Sequence, residues 1–260
     1  MRFSANLSIL FRDSPFLERF DRAARAGFDA VEFWWPSGEE LTAVEAAIRG
    51  SGLEVALFNF DAGDMPSGDR GLLSDPDRQS VFRDNVPVAL DLAQRIGCRQ
   101  LNALAGLELP GLDREEQLAL AAENLRWAAR EAAAIDARVL VEAVNTFENG
   151  PYLVSRTAEA VALIDAAGEP NIALQYDAYH MQRMEGNLAA TIRAHHDRIA
   201  HVQIADSPGR GEPGTGEINF TYLFGVLEDV GYPGYIGLEY VPTTPTTEES
   251  LGWMPARVQN

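Results

Sequence analysis

Lysine is missing from this chain: all 21 of its basic residues are arginine, against 39 acidic ones, for a formal net charge of −18. Without a lysine amine there is no Schiff base to a carbonyl substrate or to pyridoxal phosphate, so both classes of catalysis are excluded. Nor is there a cluster of basic side chains to displace the counterions of a polyanion, which argues against DNA or RNA as a partner. The lone thiol, Cys98, cannot form an intrachain disulfide and has no base beside it in the sequence; it is expected to be a packing residue. The N-terminal segment lacks the apolar core of a signal peptide, and no run of about 18 apolar residues could span a membrane, so a cytoplasmic protein without membrane contact is expected.

What is present is the composition of one folded unit. The chain has 260 residues, 46% of them hydrophobic and 23% charged, close to the usual size of an α/β barrel. Short apolar runs alternate with longer amphipathic ones. The runs predict strands at Phe3–Ile9, Ala30–Phe33, Val55–Phe60, Gln100–Ala103, Val139–Glu142, Ile172–Asp177, Ile199–Ala205 and Tyr235–Glu239. Helices are predicted at Pro15–Ala26, Glu40–Arg49, Asp77–Ile96, Arg114–Ile135, Thr157–Ala167, Asn187–His195 and Phe220–Val230, with Gly27, Gly52, Gly97 and Gly231 as helix stops. Strict alternation over eight strands, with no glycine-rich dinucleotide fingerprint after the first, favours a single-domain (β/α)8 barrel over an open sheet. The loop 61–76, rich in Gly, Asp and Pro, is expected to flank the site as a flap.

Barrels of this kind react at the C-terminal ends of their strands. Here the last four strands end with or contain Glu142, Asp177, Gln203 and Glu239. Three carboxylates after apolar runs are costly to bury unless something positive sits among them. An all-oxygen set suits Mg²⁺ or Mn²⁺ better than zinc, which prefers nitrogen and sulfur. His180, three residues past Asp177 in the loop above that strand, is placed to reach a substrate, and Arg210, after strand seven, to fork onto a carboxylate. His195 and His196 belong to a helix C-terminus and His201 to a strand interior, where packing suffices. No nucleophile elbow surrounds Ser4, Ser8 or Ser207. Phe33, Trp34 and Trp35 read as the wall of a pocket or core.

The segment His201-Val-Gln-Ile-Ala205, Pro208, Arg210, Glu212-Pro213, Gly216-Glu-Ile-Asn219, Val230-Gly-Tyr232 and Gly237-Leu-Glu-Tyr240 resembles the hydroxypyruvate isomerase family. So do Phe3-Ser-Ala-Asn-Leu-Ser8, Val31-Glu-Phe33, Leu57-Phe-Asn59, Ala62-Gly-Asp64 and Leu101-Asn102, so that the likeness spans nearly the whole chain. It implies a TIM barrel like that of xylose isomerase and the ketose epimerases. It further implies a metal on Glu142, Asp177, Gln203 and Glu239, proton transfer by Glu142 and Glu239, and substrate contacts from His180 and Arg210. One departure concerns substrate: many members read Glu-Pro-Ile-Asn-Thr-Arg-Asp after strand five, whereas this chain has Glu142-Ala-Val-Asn-Thr-Phe-Glu148, with Phe147 in the arginine's place.

The reaction the resemblance implies is metal-assisted interconversion of a small keto acid with its aldehyde isomer through an enediolate, most directly hydroxypyruvate with tartronate semialdehyde. The alternatives are a 2-oxotetronate isomerase, a keto-sugar 3-epimerase, or, in another class, a non-enzymatic sugar-binding module; a homo-oligomer is compatible with each. A phosphodiesterase on the same barrel would need a multi-histidine metal cluster and a basic groove, and the sequence offers neither.

Overall fold

The computed structural model describes residues 1–254. Its elements run β1 (Arg2–Asn6), α1 (Phe16–Arg25), β2 (Ala30–Phe33), α2 (Leu41–Ser51), β3 (Glu54–Asn59), α3 (Gln79–Ile96), β4 (Gln100–Asn102), α4 (Arg114–Ala133) and β5 (Arg138–Glu142). The second half continues with α5 (Thr146–Asn149), α6 (Thr157–Ala167), β6 (Ile172–Asp177), α7 (Ala178–Met184), α8 (Leu188–His195), β7 (Ile199–Ile204), α9 (Phe220–Asp229), β8 (Tyr235–Leu238) and α10 (Thr247–Ser250). The strands pair in parallel in sequence order, and β1 closes on β8 to complete the barrel.

Local chemistry accounts for several boundaries. Asp113 caps α4 by accepting from the backbone N–H groups of Glu115 and Glu116 at 2.8 and 3.2 Å, and those two acids meet the positive end of the helix. Gly52 and Gly97 end α2 and α3 at φ of 72° and 75°, a conformation that costs a glycine little. Outside the sheet, Phe16 and Phe20 of α1 pack edge-on against Phe33, which stacks on Phe58 of β3 at 5.5 Å. Cys98 is buried, and burial pushes its thiol up to about 12, in keeping with a packing role.

Three differences from the sequence reading have physical causes. β1 stops at Asn6 rather than Ile9, because the chain folds back there: Ser8 N donates to Asn6 Oδ1, Leu10 N to Asn6 O, and Leu7 N to Glu32 O. α3 starts at Gln79, after a separate 3-10 turn at Pro76–Arg78. Three short helices, α5, α7 and α10, were not foreseen; with four to seven residues each they carry no amphipathic period to read. The loop 61–76 contains a 3-10 turn and is tied at its middle, where Gly71 bridges to Ala105 and donates to Ala62 O.

The barrel interior holds a buried charge. Glu32 of β2 is fully buried and accepts from Ser4 Oγ (2.8 Å), Asn6 Nδ2 (3.3 Å), His201 Nε2 (2.8 Å) and Gln203 Nε2 (2.6 Å). Burial opposes its charge, but His201, by its field and its hydrogen bond, together with Gln203 and Ser4, outweighs it and holds the carboxyl below its usual value. His201 is therefore not simply packed; it is one of the donors that make a buried carboxylate tolerable.

Gly237 of β8 makes room for this group, since a Cβ there would lie 2.3 and 2.4 Å from the two Glu32 oxygens. Held by four donors, the carboxylate cannot step aside. We expect Gly237→Ala to lower unfolding free energy by about 1–3 kcal/mol, read as a fall in the urea midpoint at constant slope; an unchanged midpoint would show that Glu32 is free to move.

Candidate active site

Each strand from β5 to β8 delivers one of the predicted oxygen donors to the same end of the barrel. Glu142 pairs in register with Gln175, Asp177 with Gln203, and Gln203 with Gly237, two residues before Glu239. Glu142, Asp177, His180 and Glu239 are all buried, and each offers a ligand atom within 4.8 Å of the others'.

The carboxylates are held from below and from the side. Glu142 Oε2 accepts from Asn102 Nδ2 at 2.8 Å. Glu239 Oε1 accepts from Asn6 Nδ2 (2.9 Å) and Trp34 Nε1 (2.8 Å), and its Oε2 from Arg210 Nη2 (2.6 Å). Asp177 Oδ1 accepts from His180 N at 3.0 Å, while Oδ2 is buried without a partner. Burial raises the Glu142 carboxyl well above its usual value, and the fields of Glu239 and Asp177 add to this. Burial likewise pushes Glu239 up to about 7, against the pull of Arg210. One guanidinium is too little charge for three crowded acids. The residues fit a hard divalent cation: all the donors are oxygens, and an orphaned buried carboxylate oxygen is already in place.

Gln203 lies in the layer beside Asp177. Its Oε1 accepts from Gln175 Nε2 and its Nε2 donates to Glu32, both at 2.6 Å. Glu32 thereby fixes which end of the amide is oxygen, and that oxygen keeps a second lone pair.

The loop expected at His180 is instead the first turn of α7, capped by Asp177. Asn145 caps α5 through Oδ1, which accepts from Phe147 N and Glu148 N, so its Nδ2 faces His180 Nδ1 at 2.7 Å. Nδ1 is then an acceptor, and Nε2 carries the hydrogen. Burial lowers the imidazole to about 4, so it is neutral at ordinary pH, and the 3.8 and 3.9 Å approaches of Nε2 to Asp177 and Glu142 are not ion pairs. His180 is built as a donor toward whatever enters the cavity rather than as a metal ligand.

Arg210 lies in a loop organised by Asp206, whose carboxylate accepts from the N–H groups of Ser207, Gly214, Gly216 and Ile218. Its guanidinium sits 5.3 Å over the Tyr179 ring, and the Tyr179 hydroxyl donates to Glu148. Phe147 is 66% exposed, lies under Arg183 at 4.7 Å and does not line the cavity. The cavity over the carboxylates measures about 490 Å³ and shares Trp34, Met65 and Pro66 with a neighbouring cavity of about 610 Å³.

Sequence reasoning did not assign the supports: Glu32, Asn102, Asn6, Asn145 and Glu148. A signal existed for two of them, an acid inside the apolar run Ala30–Phe33 and an amide closing the run before Ala103.

Comparison with known proteins gives the chain a family. The family described as xylose isomerase-like TIM barrel matches residues 20–257. Hydroxypyruvate isomerase of Escherichia coli (strain K12) is 44% identical, with 98% of each chain covered. A 2-oxo-tetronate isomerase of Cupriavidus necator is 40% identical over 97% of each. Among solved structures, a Brucella melitensis protein titled AP endonuclease, family 2, superposes with a TM-score of 0.92 at 43% identity, covering 97% of each chain. The Escherichia coli 3-keto-D-glucoside 4-epimerase, at 23% identity and a TM-score of 0.79, shares the fold.

The crowding has a thermodynamic sign. A carboxyl whose folded pKa is raised binds its proton more tightly folded than unfolded, so it stabilises the fold at low pH and loses that contribution as pH rises. For the metal-free protein, stability should fall between about pH 4.5 and 7, by about 3 kcal/mol from Glu239 alone, with Glu142 adding in the same direction. Chemical denaturation across this range checks it, and saturating Mn²⁺ should flatten the slope; rising stability would contradict the crowding.

Proposed function

Because this chain belongs to the xylose isomerase-like TIM barrel family and is an isomerase, we propose that it interconverts a small 2-keto acid and its aldehyde isomer, hydroxypyruvate and tartronate semialdehyde first among them. The observation that carries this reading is the pair of buried glutamates, Glu142 and Glu239, both raised toward neutrality and facing one cavity with the neutral N–H donor of His180. A carboxyl raised by burial is suited to return a proton it has taken, which an ordinary carboxylate at neutral pH is not.

The two glutamates are not equivalent. Both oxygens of Glu239 are engaged by donors, whereas Glu142 Oε1 accepts no hydrogen bond among the described residues. Glu142 Oε1 is thus the freer base and removes the proton from the hydroxyl-bearing carbon. The electron pair moves toward the neighbouring carbonyl to give an enediolate, and Glu239 delivers its proton to the former carbonyl carbon. The hydroxyl on the carbon that Glu142 deprotonated passes its proton to the former carbonyl oxygen to leave the aldehyde. Exchange with solvent returns the proton gained by Glu142 and replaces the one lost by Glu239. His180 Nε2–H and Arg210 both line the cavity and are the donors available to the oxygen on which charge develops. A divalent cation, Mg²⁺ or Mn²⁺, held by Glu142, Asp177, Gln203 and Glu239 would withdraw electrons from the substrate's oxygens and ease loss of the C–H proton between them.

A four-carbon 2-oxo acid undergoes the same chemistry, and the cavity of about 490 Å³ is roomier than a three-carbon acid requires. A phosphodiesterase reading, which the Brucella melitensis structure titled AP endonuclease raises, is less favoured by the site: the described cluster contains one histidine where a multi-histidine centre is needed.

With hydroxypyruvate as substrate, chelator-treated protein should lose turnover and regain it with Mn²⁺ or Mg²⁺. Glu142→Gln should lower kcat by about 10³-fold while the protein stays folded. Full turnover without metal, or a wild-type rate in Glu142→Gln, would overturn the scheme.

A further inference from the structure

Most arginines of this chain are tied to a carboxylate, as expected where acids outnumber bases. Arg70 is an exception that lines the active-site cavity together with Glu142, His180 and Glu239. Its guanidinium bonds only neutral oxygens: Nε donates to Asn149 Oδ1 (3.0 Å), and Nη1 to Met65 O (3.0 Å) and Asp69 O (2.7 Å). Nη2, with its two N–H groups, has no acceptor among the described residues. Arg12, on the same cavity, has neither a hydrogen bond nor an ion pair among them. The adjacent acid, Asp69, is turned away to Arg78 at 2.6 Å.

Arg70 is also held in place. The next residue, Gly71, adopts φ +129° and forms the bridge to Ala105, and a Cβ at that position would lie 2.3 Å from Leu104 O. The bond to Asn149 ties the guanidinium to α5, the turn whose Asn145 orients His180. Arg210, the other arginine near the reacting carbons, is already engaged by Glu239.

We infer that Arg70 is a specificity-determining residue that receives the carboxylate of the keto-acid substrate, with Arg12 reinforcing it at the mouth; this rests on the isomerase reading above. A guanidinium satisfied by three neutral acceptors keeps its full charge and two free donors, in a protein whose overall field repels anions. A neutral hydroxyketone with the same reacting carbons gains nothing from it.

The test compares wild-type protein, Arg70→Met and Arg70→Lys, all loaded with Mn²⁺, in turnover of hydroxypyruvate and in calorimetric binding of tartronate, a carboxylate that cannot isomerise, and of neutral dihydroxyacetone. Arg70→Met should raise KM for hydroxypyruvate and weaken tartronate by about 10- to 100-fold, with kcat changing far less, and the ratio of tartronate to dihydroxyacetone affinity should fall by the same factor. Arg70→Lys, which keeps the charge but loses the tie to Asn149, should fall between, and thermal melts establish that both variants are folded. Unchanged KM and tartronate affinity, or equal weakening of tartronate and dihydroxyacetone, would overturn the assignment. Wild-type protein that binds tartronate through Arg70 yet turns over no keto acid would uphold the carboxylate site and overturn the isomerase reading instead.

Discussion

Three carboxylates crowd together at the mouth of this barrel with a single guanidinium, that of Arg210, bonded to any of them among the described residues, and that imbalance governs the site. Glu142, Asp177 and Glu239 are buried within a few ångströms of one another, and among the described residues only Arg210 forms an ion pair with one of them through a guanidinium. Alone, the cluster's two glutamates hold their protons more tightly than they would in water. The same imbalance leaves a buried group that could hold a metal ion, and it raises the carboxyls of both glutamates.

The supports around the cluster share a logic of orientation by default. Asn145 has its oxygen claimed by the start of α5, so its amide hydrogens must point at His180, and the imidazole must then present N–H to the cavity. Gln203 has its nitrogen claimed by Glu32, so its oxygen is fixed as well. In each case a group outside the cavity determines what the group inside offers, as second-layer hydrogen bonds commonly do around metal and catalytic centres.

Much of this was legible in the chain before folding. The eight-fold alternation gave the barrel, and the acids ending apolar runs gave the three carboxylates that the fold gathers, because strand ends are the positions where polarity breaks a buried pattern. His180 and Arg210 were placed near the site by proximity to those ends. The short helices were not legible, since seven residues or fewer carry no period. Nor were the partnerships of Glu32 and Asn145, which join residues 169 and 35 positions apart; a local pattern contains no information about such pairs. Phe147 stood out as a departure in sequence, yet it lies against Arg183 outside the cavity, so a local exception in wording did not mark a change in the site's lining.

Glu32 also bears on how the chain acquires its structure. The acid sits on the second strand, but two of its donors arrive on the seventh and the space it fills is left by a glycine on the eighth. A nascent chain that has emerged only as far as α6 holds two of the acid's four donors, Ser4 and Asn6, but neither the imidazole of His201 nor the amide of Gln203. Full satisfaction of the buried charge therefore waits on the last quarter of the chain, which ties neutralisation of the interior to closure of the ring.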